Sequence, residues 1–366
     1  MKLLPISRPA FPPDDELFDV EVEFRNALRA GRVTNHGPHV QELERRLAAR
    51  LGVRHVVCVS SGTAALVVML KAAGVRPGDE VIVPSFTFCA TPHAVALAGA
   101  VPVFADVEAT TGMLDPQDVE RRITPRTKAI MPVDVYGEPY PAGWLLGFMR
   151  PGSDRAAIDI LADSAPSFGA VPSGGAPPRA RAYSFHATKP FSTMEGGCIA
   201  TDDEGIASRA AKIAHFGIWP SGLAQVVGTN AHMLEVSALV GLAALPLLDE
   251  ALRRRRAVVS RYFFGLRESG VRFLHVPDVL RGTWCYFPIL LANESRREQV
   301  RFRLEARGVE ARPYYVECHT MPAYKSQTPL PATEGLSRRV LALPVYSDQS
   351  DEEAAYVIDA VKEAVL

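Results

Sequence analysis

The chain has 366 residues, of which 48% are hydrophobic, and its 40 basic residues stand against 41 acidic ones. A chain of this length and composition can bury a large core, and it is long enough to divide into two domains. Because the charges balance, the composition excludes the strongly basic surface that nucleic acid or an anionic membrane would require, and we expect neither partner.

The first stretch, MKLLPISRPAFPPDDELFD, reaches prolines and acids before an apolar core of signal-peptide length can form. No apolar run is long enough to cross a bilayer, so we expect a cytoplasmic protein. The cysteines are odd in number and show neither a CxxC pair nor zinc-ligand spacing, which predicts reduced packing residues and no metal site. They are Cys58, Cys89, Cys198, Cys285 and Cys318.

Strands and helices alternate along the first two thirds of the chain. Two amphipathic helices come first, in ELFDVEVEFRNALRAG and PHVQELERRLAARLG, each closed by a glycine. Predicted strands follow in HVVCV, DEVIVP, VPVFADV, TKAIMPVDVYG, AIDILAD and ARAYSF, with helices in TAALVVMLKAAG, FCATPHAVALAG and DPQDVERRI. Short apolar strands separated by helices predict an α/β domain whose mostly parallel sheet is covered by helices on both faces.

The pattern changes at MLEVSALVGLAALPLLDEALRRRRAVVSRYFFGLRESG, which predicts a helix, a proline break and a second long helix. We place a domain boundary near Asp249, so that residues 1–249 form a large domain and residues 250–366 a smaller C-terminal one. In the second part, REQVRFRLEARG predicts a helix, VEARPYYV a strand, and SDEEAAYVIDAVKEAVL a terminal helix. Ser350 and Glu353 have the spacing of a capping box in that last helix. We therefore expect an α+β fold for the smaller domain.

A run of four arginines, Arg253 to Arg256, is the one candidate for a nucleic-acid patch. Consecutive residues of a helix fan around its axis and do not form one stripe. The run therefore predicts a solvated helix surface.

The segment VSSGTAAL turns from a strand into a helix at Ser60, Ser61 and Gly62, with the helix starting near Thr63. The first amides of a helix have no partners within it and favour a phosphate, and a glycine lets the backbone approach closely. An ordinary helix cap is the alternative, since these residue types are also common caps. Neither G-x-x-x-x-G-K-[ST] nor G-x-G-x-x-G is present, which argues against a nucleotide loop and leaves open a phosphate on another cofactor.

Asp163 and Lys189 each follow a predicted strand. The carboxyl ends of strands form the edge at which open α/β sheets bind ligands, and a buried carboxylate there requires a cationic partner. The two side chains could therefore meet in one crevice, and a structural ion pair is the alternative. Together with the helix start, they describe a pyridoxal phosphate (PLP) pocket: a phosphate on the helix, a carboxylate on the ring nitrogen and a lysine on the aldehyde.

The same motifs carry a family resemblance. The order SSGTAAL, PSFTFCAT, ADSAPSFGA, SFHATK…EGG and GTNAHMLEVSALVGL resembles the DegT/DnrJ/StrS-type sugar aminotransferases, which have the aspartate aminotransferase fold (fold type I). The resemblance runs nearly end to end, from GRVTNHGPHVQELE to ARPYYVECHTMPAYK. It implies that Lys189 forms the Schiff base with the cofactor, that Asp163 contacts the pyridine nitrogen, and that Phe88 stacks on the ring.

The resemblance also implies a set of phosphate contacts. Gly62 and Thr63 match the phosphate-binding turn, and Ser184 matches a serine that reaches the same phosphate. Asn230, in GTNAHMLEV, matches an asparagine that family members lend to the site of the neighbouring subunit. A homodimer is therefore expected.

Two positions depart from the family pattern. Pro166 stands where many relatives carry a glutamine or histidine that contacts the cofactor hydroxyl, and proline has no side-chain donor. Asp134, in VDVYG, stands where many relatives carry a histidine near the ring or the substrate. Substrate placement is therefore harder to infer than cofactor placement.

The resemblance implies amino transfer from L-glutamate to a keto-deoxy sugar carried on a nucleoside diphosphate. A dTDP-4-keto-6-deoxyhexose is the first expectation, and a 3-keto sugar is the alternative. Arg312 could bind a diphosphate or a donor carboxylate through its fork of donors. Tyr314 and His319, in ARPYYVECHTMPAYK, and His186, close to Lys189, are further candidate substrate contacts, although an isolated histidine is more often a packing residue.

Two other readings of these residues compete with the aminotransferase. Sugar dehydratases on this fold replace the lysine with histidine, so Lys189 argues against that activity. A binding or regulatory protein without a cofactor could also use this scaffold, with Lys189 and Asp163 as a structural pair.

Overall fold

The computed structural model describes residues 3–9, 11, 14–143, 158–171, 174–175, 177–274 and 281–366. The helices are α1 Asp14–Arg29, α2 Pro38–Leu51, α3 Gly62–Ala72, α4 Ala90–Leu97, α5 Pro116–Arg122, α6 Glu204–Ala214, α7 Glu235–Ala244, α8 Leu248–Leu266, α9 Glu294–Ala306, α10 Pro331–Ser337 and α11 Asp351–Ala364. The strands are β1 His55–Val59, β2 Glu80–Pro84, β3 Val101–Ala105, β4 Thr127–Ile130, β5 Asp159–Asp163, β6 Ala180–Ser184, β7 Gly197–Thr201, β8 Arg272–Phe273, β9 Tyr286–Leu290 and β10 Val340–Pro344.

Seven strands form one sheet in the order β1-β7-β6-β5-β4-β2-β3. The strands from β6 to β3 are parallel, and β7 runs antiparallel to both of its neighbours. Successive side chains of a strand point to opposite faces. In β1, Val57 and Val59 pack into the core that contains α3 and α6, whereas Val56 and Cys58 pack into the core that contains α2. The predicted mostly parallel sheet with helices on both faces is confirmed.

One edge of this sheet collects the candidate site residues. Asp163 and Ser184 are the last residues of β5 and β6, which are parallel neighbours. Because β1 and β6 are both antiparallel to β7, β1 ends at the same edge, where Gly62 begins α3. The topology therefore brings the predicted phosphate turn and the predicted acid to one place.

The C-terminal part contains the antiparallel sheet β10-β9-β8, with α8, α9 and α11 packed together beside it. The capping box of Ser350 and Glu353 is present at the start of α11. This α+β arrangement confirms the predicted fold class. The boundary predicted near Asp249 falls in the first turn of α8, and its position stays a prediction.

Two predicted strands differ from the structure. VEARPYYV forms no strand and makes only isolated bridges, such as that between Arg312 and Ala342, because Pro313 cannot donate to a ladder. The strand predicted in TKAIMPVDVYG ends at Ile130, shortly before Pro132, for the same reason.

The arginine run is not a solvated surface throughout. Arg255 is fully buried, and its guanidinium donates to the Ser347 hydroxyl and to the carbonyls of Trp284 and Val345. Only part of the run therefore fits the prediction.

The five cysteines are free, as predicted. Within the described part of the chain, no helix has the length and apolar character needed to span a membrane. The cytoplasmic location stays a prediction.

Candidate active site

A cavity of about 420 Å³ opens at the sheet edge where β5 and β6 end. It brings together most of the residues singled out from the sequence. Those that line it are Gly62, Thr63, Phe88, Asp163, Ser184, His186, Lys189 and Tyr314.

The start of α3 forms an anion cradle at one end of the cavity. The Ser61 hydroxyl caps the helix by accepting the Ala64 amide at 3.1 Å, so the predicted cap is present. Gly62 packs so closely on Ser184 that a Cβ added at Gly62 would lie 2.6 Å from the Ser184 Cβ. Only glycine therefore fits at this position. The close packing places the first amides of the 11-residue helix α3 beside the Ser184 hydroxyl.

Asp163 is buried, with 4% of its surface exposed. Its Oδ2 accepts a hydrogen bond from the Thr91 hydroxyl at 2.7 Å, and its Oδ1 accepts the Ala165 amide at 3.1 Å. Burial raises the pKa of Asp163, while these two hydrogen bonds and the charge of Lys189 act to lower it. A cationic group placed against this carboxylate would favour its ionised form further. The carboxylate is therefore suited to a protonated ring nitrogen.

Lys189 lies in a tight turn after β6. Its amide donates to the His186 carbonyl at 2.9 Å, and the turn returns the side chain to the cavity. Lys189 and Asp163 both line the cavity, yet the two described side chains form no ion pair within 4.0 Å. The structural ion-pair alternative therefore does not describe this chain.

Aromatic side chains form much of the remaining wall. Phe88 is 60% exposed although it is a large apolar side chain, and it faces the cavity. Tyr314 packs on Tyr286 with ring centroids 5.3 Å apart, and Tyr315 stacks on Tyr136 at 5.6 Å. The sequence analysis missed Tyr286 and Tyr315 as wall residues, and it treated Tyr315 as an ordinary residue of the predicted strand VEARPYYV.

The rim contains a short chain of polar side chains beside Lys189. His186 contacts the Thr188 hydroxyl through Nδ1 at 2.9 Å and Glu195 through Nε2 at 3.4 Å. Thr188 and Tyr286 also line the cavity. His186 thus lines the cavity, as its closeness to Lys189 in the sequence suggested, and its contact with a substrate stays a prediction.

The two departures from the family pattern have different structural consequences. Pro166 lines the cavity, but its carbonyl accepts the Thr283 hydroxyl at 2.6 Å, so it presents only its apolar ring. Asp134 is buried outside the cavity lining, where it accepts the Ser167 hydroxyl at 2.5 Å and the Tyr140 amide at 3.0 Å and lies 3.7 Å from Arg181. Asp134 therefore supports the backbone and side chains around the cavity. It does not occupy the position beside the cofactor ring that the histidine of many relatives implies.

Arg312 and His319 do not line the cavity, and their role as substrate contacts stays a prediction. Arg312 is about half exposed and is paired with Glu310. His319 is 2% exposed, and its Nδ1 contacts the Ser85 hydroxyl at 2.7 Å. The charge of Arg312 is thus neutralised by Glu310. His319 holds the C-terminal segment against the loop before Phe88.

Asn230 also lies away from the cavity. It lines a separate surface groove of about 750 Å³ together with Phe24, Phe216 and His232. Within one chain it is therefore not grouped with Gly62 and the other cradle residues, and its service to a neighbouring subunit stays a prediction.

The described residues contain no cluster of three or more histidine, cysteine or acidic side chains arranged to hold a metal ion. The functional groups at the cavity are instead an amine, a carboxylate, hydroxyls and helix amides. This donor set fits an organic phosphate with a basic ring nitrogen.

The model of the DegT/DnrJ/EryC1/StrS aminotransferase family matches residues 18–362. The chain belongs to this family. The predicted family, and with it the aminotransferase class, is confirmed.

Individual relatives match between 89% and 100% of this chain. The chain is 34% identical over 336 residues to dTDP-3-amino-3,4,6-trideoxy-alpha-D-glucose transaminase of Streptomyces venezuelae, covering 89% of this chain and 87% of the relative. It is 33% identical to DesI, solved in the presence of its TDP-sugar product, with a TM-score of 0.89 over 100% of this chain and 94% of DesI. It is 27% identical to NtdA from Bacillus subtilis with bound cofactor PMP, with a TM-score of 0.88 over 100% and 87%. The predicted cofactor, PLP or its amino form PMP, is thereby confirmed for the family.

Proposed function

We propose that this protein uses PLP to move an amino group from L-glutamate to a keto-deoxy sugar of a nucleoside diphosphate. The observation that carries the proposal is the cavity that Lys189 and Asp163 both line without forming an ion pair within 4.0 Å. An amine and a carboxylate that share a cavity and are not paired with each other are available for the two ends of a pyridoxal ring.

The residues present fit the cofactor. The amides of Gly62 and Thr63 and the Ser184 hydroxyl would hold its phosphate at the start of α3. Phe88 would cover the ring from the open side of the cavity. When bound, PLP supplies an aldehyde that condenses with amines and a ring that accepts the electron pair of the donor carbon.

The side chains of this chain perform the proton transfers. Lys189 would hold the cofactor through Nζ, and its free amine would remove the proton from the donor Cα and later deliver a proton to the acceptor carbon. Asp163 would keep the ring nitrogen protonated, because a carboxylate next to that nitrogen favours the charged form of the ring. Both roles require removal from bulk water, and Asp163 is buried while Lys189 is half-buried.

A dTDP-linked keto-deoxyhexose is the proposed acceptor. The similarity to the Streptomyces venezuelae transaminase, whose name specifies a 3-amino product, supports a 3-keto sugar. The 4-keto-6-deoxyhexose, which the sequence motifs favoured, is the second candidate. The structural similarity to DesI with its TDP-sugar product supports the nucleotide in both cases.

We also propose that the active form is a homodimer in which Asn230 reaches the phosphate of the neighbouring subunit's cofactor. Three of the side chains that line its groove are large, apolar and about half exposed in the single chain. They are Leu28, Phe216 and Leu234. Apolar exposure on this scale is typical of a surface that another protein covers.

The first experiment tests the lysine. Purified protein is incubated with PLP, and its visible absorption is recorded before and after borohydride. We expect a band from lysine-bound cofactor that borohydride removes, with the reduced cofactor found on the Lys189 peptide by mass spectrometry. Lys189→Ala should lose both the band and glutamate-dependent amination by about a thousandfold or more.

Lys189→Arg is the matched control, because arginine keeps the positive charge but cannot form the covalent link at neutral pH. Amination is assayed with 3-keto and 4-keto dTDP-sugars side by side. A wild-type protein that shows neither the band nor amination of either sugar would contradict the proposal and favour a binding protein on the same scaffold.

A further inference from the structure

Thr91 lies one turn beyond the loop that carries Phe88, as the second residue of α4. It is fully buried, and its amide donates to the Phe88 carbonyl at 3.1 Å. Its hydroxyl donates to Asp163 Oδ2 at 2.7 Å. One side chain is thus bonded to the acid on one side of the site and to the backbone of the aromatic residue on the other.

The direction of these hydrogen bonds follows from the available protons. An ionised carboxylate can only accept, so the single Thr91 hydroxyl proton points at Asp163. The Thr87 hydroxyl, 2.9 Å away and also buried, must then donate to Thr91. The result is a chain of hydrogen bonds in which Thr87 donates to Thr91 and Thr91 donates to Asp163. Successive hydrogen bonds in such a buried chain polarise and strengthen one another.

The two oxygens of Asp163 are held from different elements. Thr91 holds Oδ2 from α4, and the Ala165 amide holds Oδ1 from the chain after β5. The charged and titratable groups that face Asp163 are Lys189, Asp134 and Tyr315. Of these, Asp134 already lies beside Arg181. Thr91 is therefore the side chain that fixes the rotation of the carboxylate.

We propose that Thr91 is a positioning residue for the amino-transfer reaction: its hydroxyl, oriented by Thr87, aims the Asp163 carboxylate at a protonated heteroaromatic nitrogen in the cavity. The inference rests on the proposed function and deepens it. Loss of the hydroxyl leaves Oδ1 held by the Ala165 amide but releases Oδ2, and it removes a hydrogen bond that favours the ionised form of Asp163.

The test compares Thr91→Val, which keeps the shape and removes the hydroxyl, with Thr91→Ser, which keeps the hydroxyl. We expect Thr91→Val to weaken PLP binding and to lower kcat by about ten- to a hundredfold, the range of hydrogen bonds to charged groups expressed as a factor. KM for the sugar should change little, because Thr91 does not line the cavity. Thr91→Ser should restore both quantities.

A pH titration separates positioning from packing. The hydrogen bond from Thr91 lowers the pKa of Asp163, so its removal raises that pKa and the carboxylate loses its charge at a higher pH. In Thr91→Val the acid limb of the visible-band titration and of kcat/KM should therefore move to higher pH. Thr87→Val should move it in the same direction by less.

Thr333→Val is the matched control. Thr333 is also fully buried, and its hydroxyl has no hydrogen-bond partner among the described residues, so this variant should leave PLP affinity and the pH profile unchanged. Melting of the cofactor-free variants shows whether each one folds, and Thr87→Val provides the test if Thr91→Val does not.

The inference is overturned if Thr91→Val, or Thr87→Val in its place, matches Thr333→Val in PLP affinity and pH profile. It is also overturned if Thr91→Ser shows the same losses as Thr91→Val, because the methyl group would then carry the effect. A wild-type protein without the visible band would instead remove the proposed function itself.

Discussion

At the scale of single residues, Asp134 shows how a residue near the active site can contribute to stability and not to catalysis. Its carboxylate is 1% exposed and lies 3.7 Å from Arg181, whose side chain is 19% exposed. Removing one partner of a buried pair leaves the other charge uncompensated. We expect Asp134→Asn to lower the free energy of unfolding of the cofactor-free protein by about 3 kcal/mol, measured by urea denaturation.

Asp249→Asn is the comparison for this prediction. Asp249 pairs with Arg50, but its side chain is 72% exposed, and such surface pairs contribute about 1 kcal/mol or less. If the two variants lost the same stability, the burial of the Asp134–Arg181 pair would have no energetic consequence, contrary to the expectation.

The sequence could predict those site residues whose position follows from the secondary structure next to them. Lys189 and Asp163 could be found because each follows a strand and the carboxyl ends of parallel strands meet. Thr91 could not be found in this way, since its partner lies 72 positions along the chain. The contact of His319 with Ser85 could not be found either, because it spans 234 positions and no local pattern in the sequence indicates it.

At the scale of elements, the start of α2 depends on a carboxylate from another helix. Glu235, the first residue of α7, is fully buried and accepts the amides of His39 at 2.9 Å and Val40 at 3.1 Å. It also contacts His39 Nδ1 at 2.7 Å. We expect Glu235→Ala to lower the free energy of unfolding by about 2–3 kcal/mol, because it removes a cap and leaves buried amides without an acceptor. Glu235→Gln, which keeps one oxygen, should lose less.

Gly37 allows this contact to be tested by a double-mutant cycle. A Cβ at Gly37 would lie 2.6 Å from the Glu235 Cδ, so Gly37→Ala should destabilise the protein. In the Glu235→Ala background the obstructing carboxyl is gone, and the same substitution should cost less. Additive losses in urea denaturation would show that the two residues do not meet.

The layered architecture was predictable from the alternation of short apolar runs and amphipathic helices. The antiparallel direction of β7 was not, because an apolar five-residue run carries no sign of its direction. Its placement between β1 and β6 is nevertheless what brings α3 and Ser184 to the same edge. The anion cradle therefore depends on a strand that the sequence pattern left unassigned.

At the scale of the whole molecule, the separation of Asn230 from the cavity leads to a test of shared sites. If Asn230 serves the neighbouring subunit, a Lys189→Ala subunit and an Asn230→Ala subunit can together form one complete site. Each variant alone should be strongly impaired. After the two are mixed and allowed to exchange, activity should recover to about a quarter of wild type, because half of the dimers are mixed and each contains one complete site.

The recovery should depend on exchange and not on mixing alone, so it should follow the time course of subunit exchange and vanish when the dimers are crosslinked beforehand. Mixing Lys189→Ala with Lys189→Arg is the control, since neither possible pair contains an intact lysine. Should the first mixture stay as inactive as this control although mixed dimers form, Asn230 would act within its own chain, and its position in a separate groove would require a movement that joins the groove to the cavity.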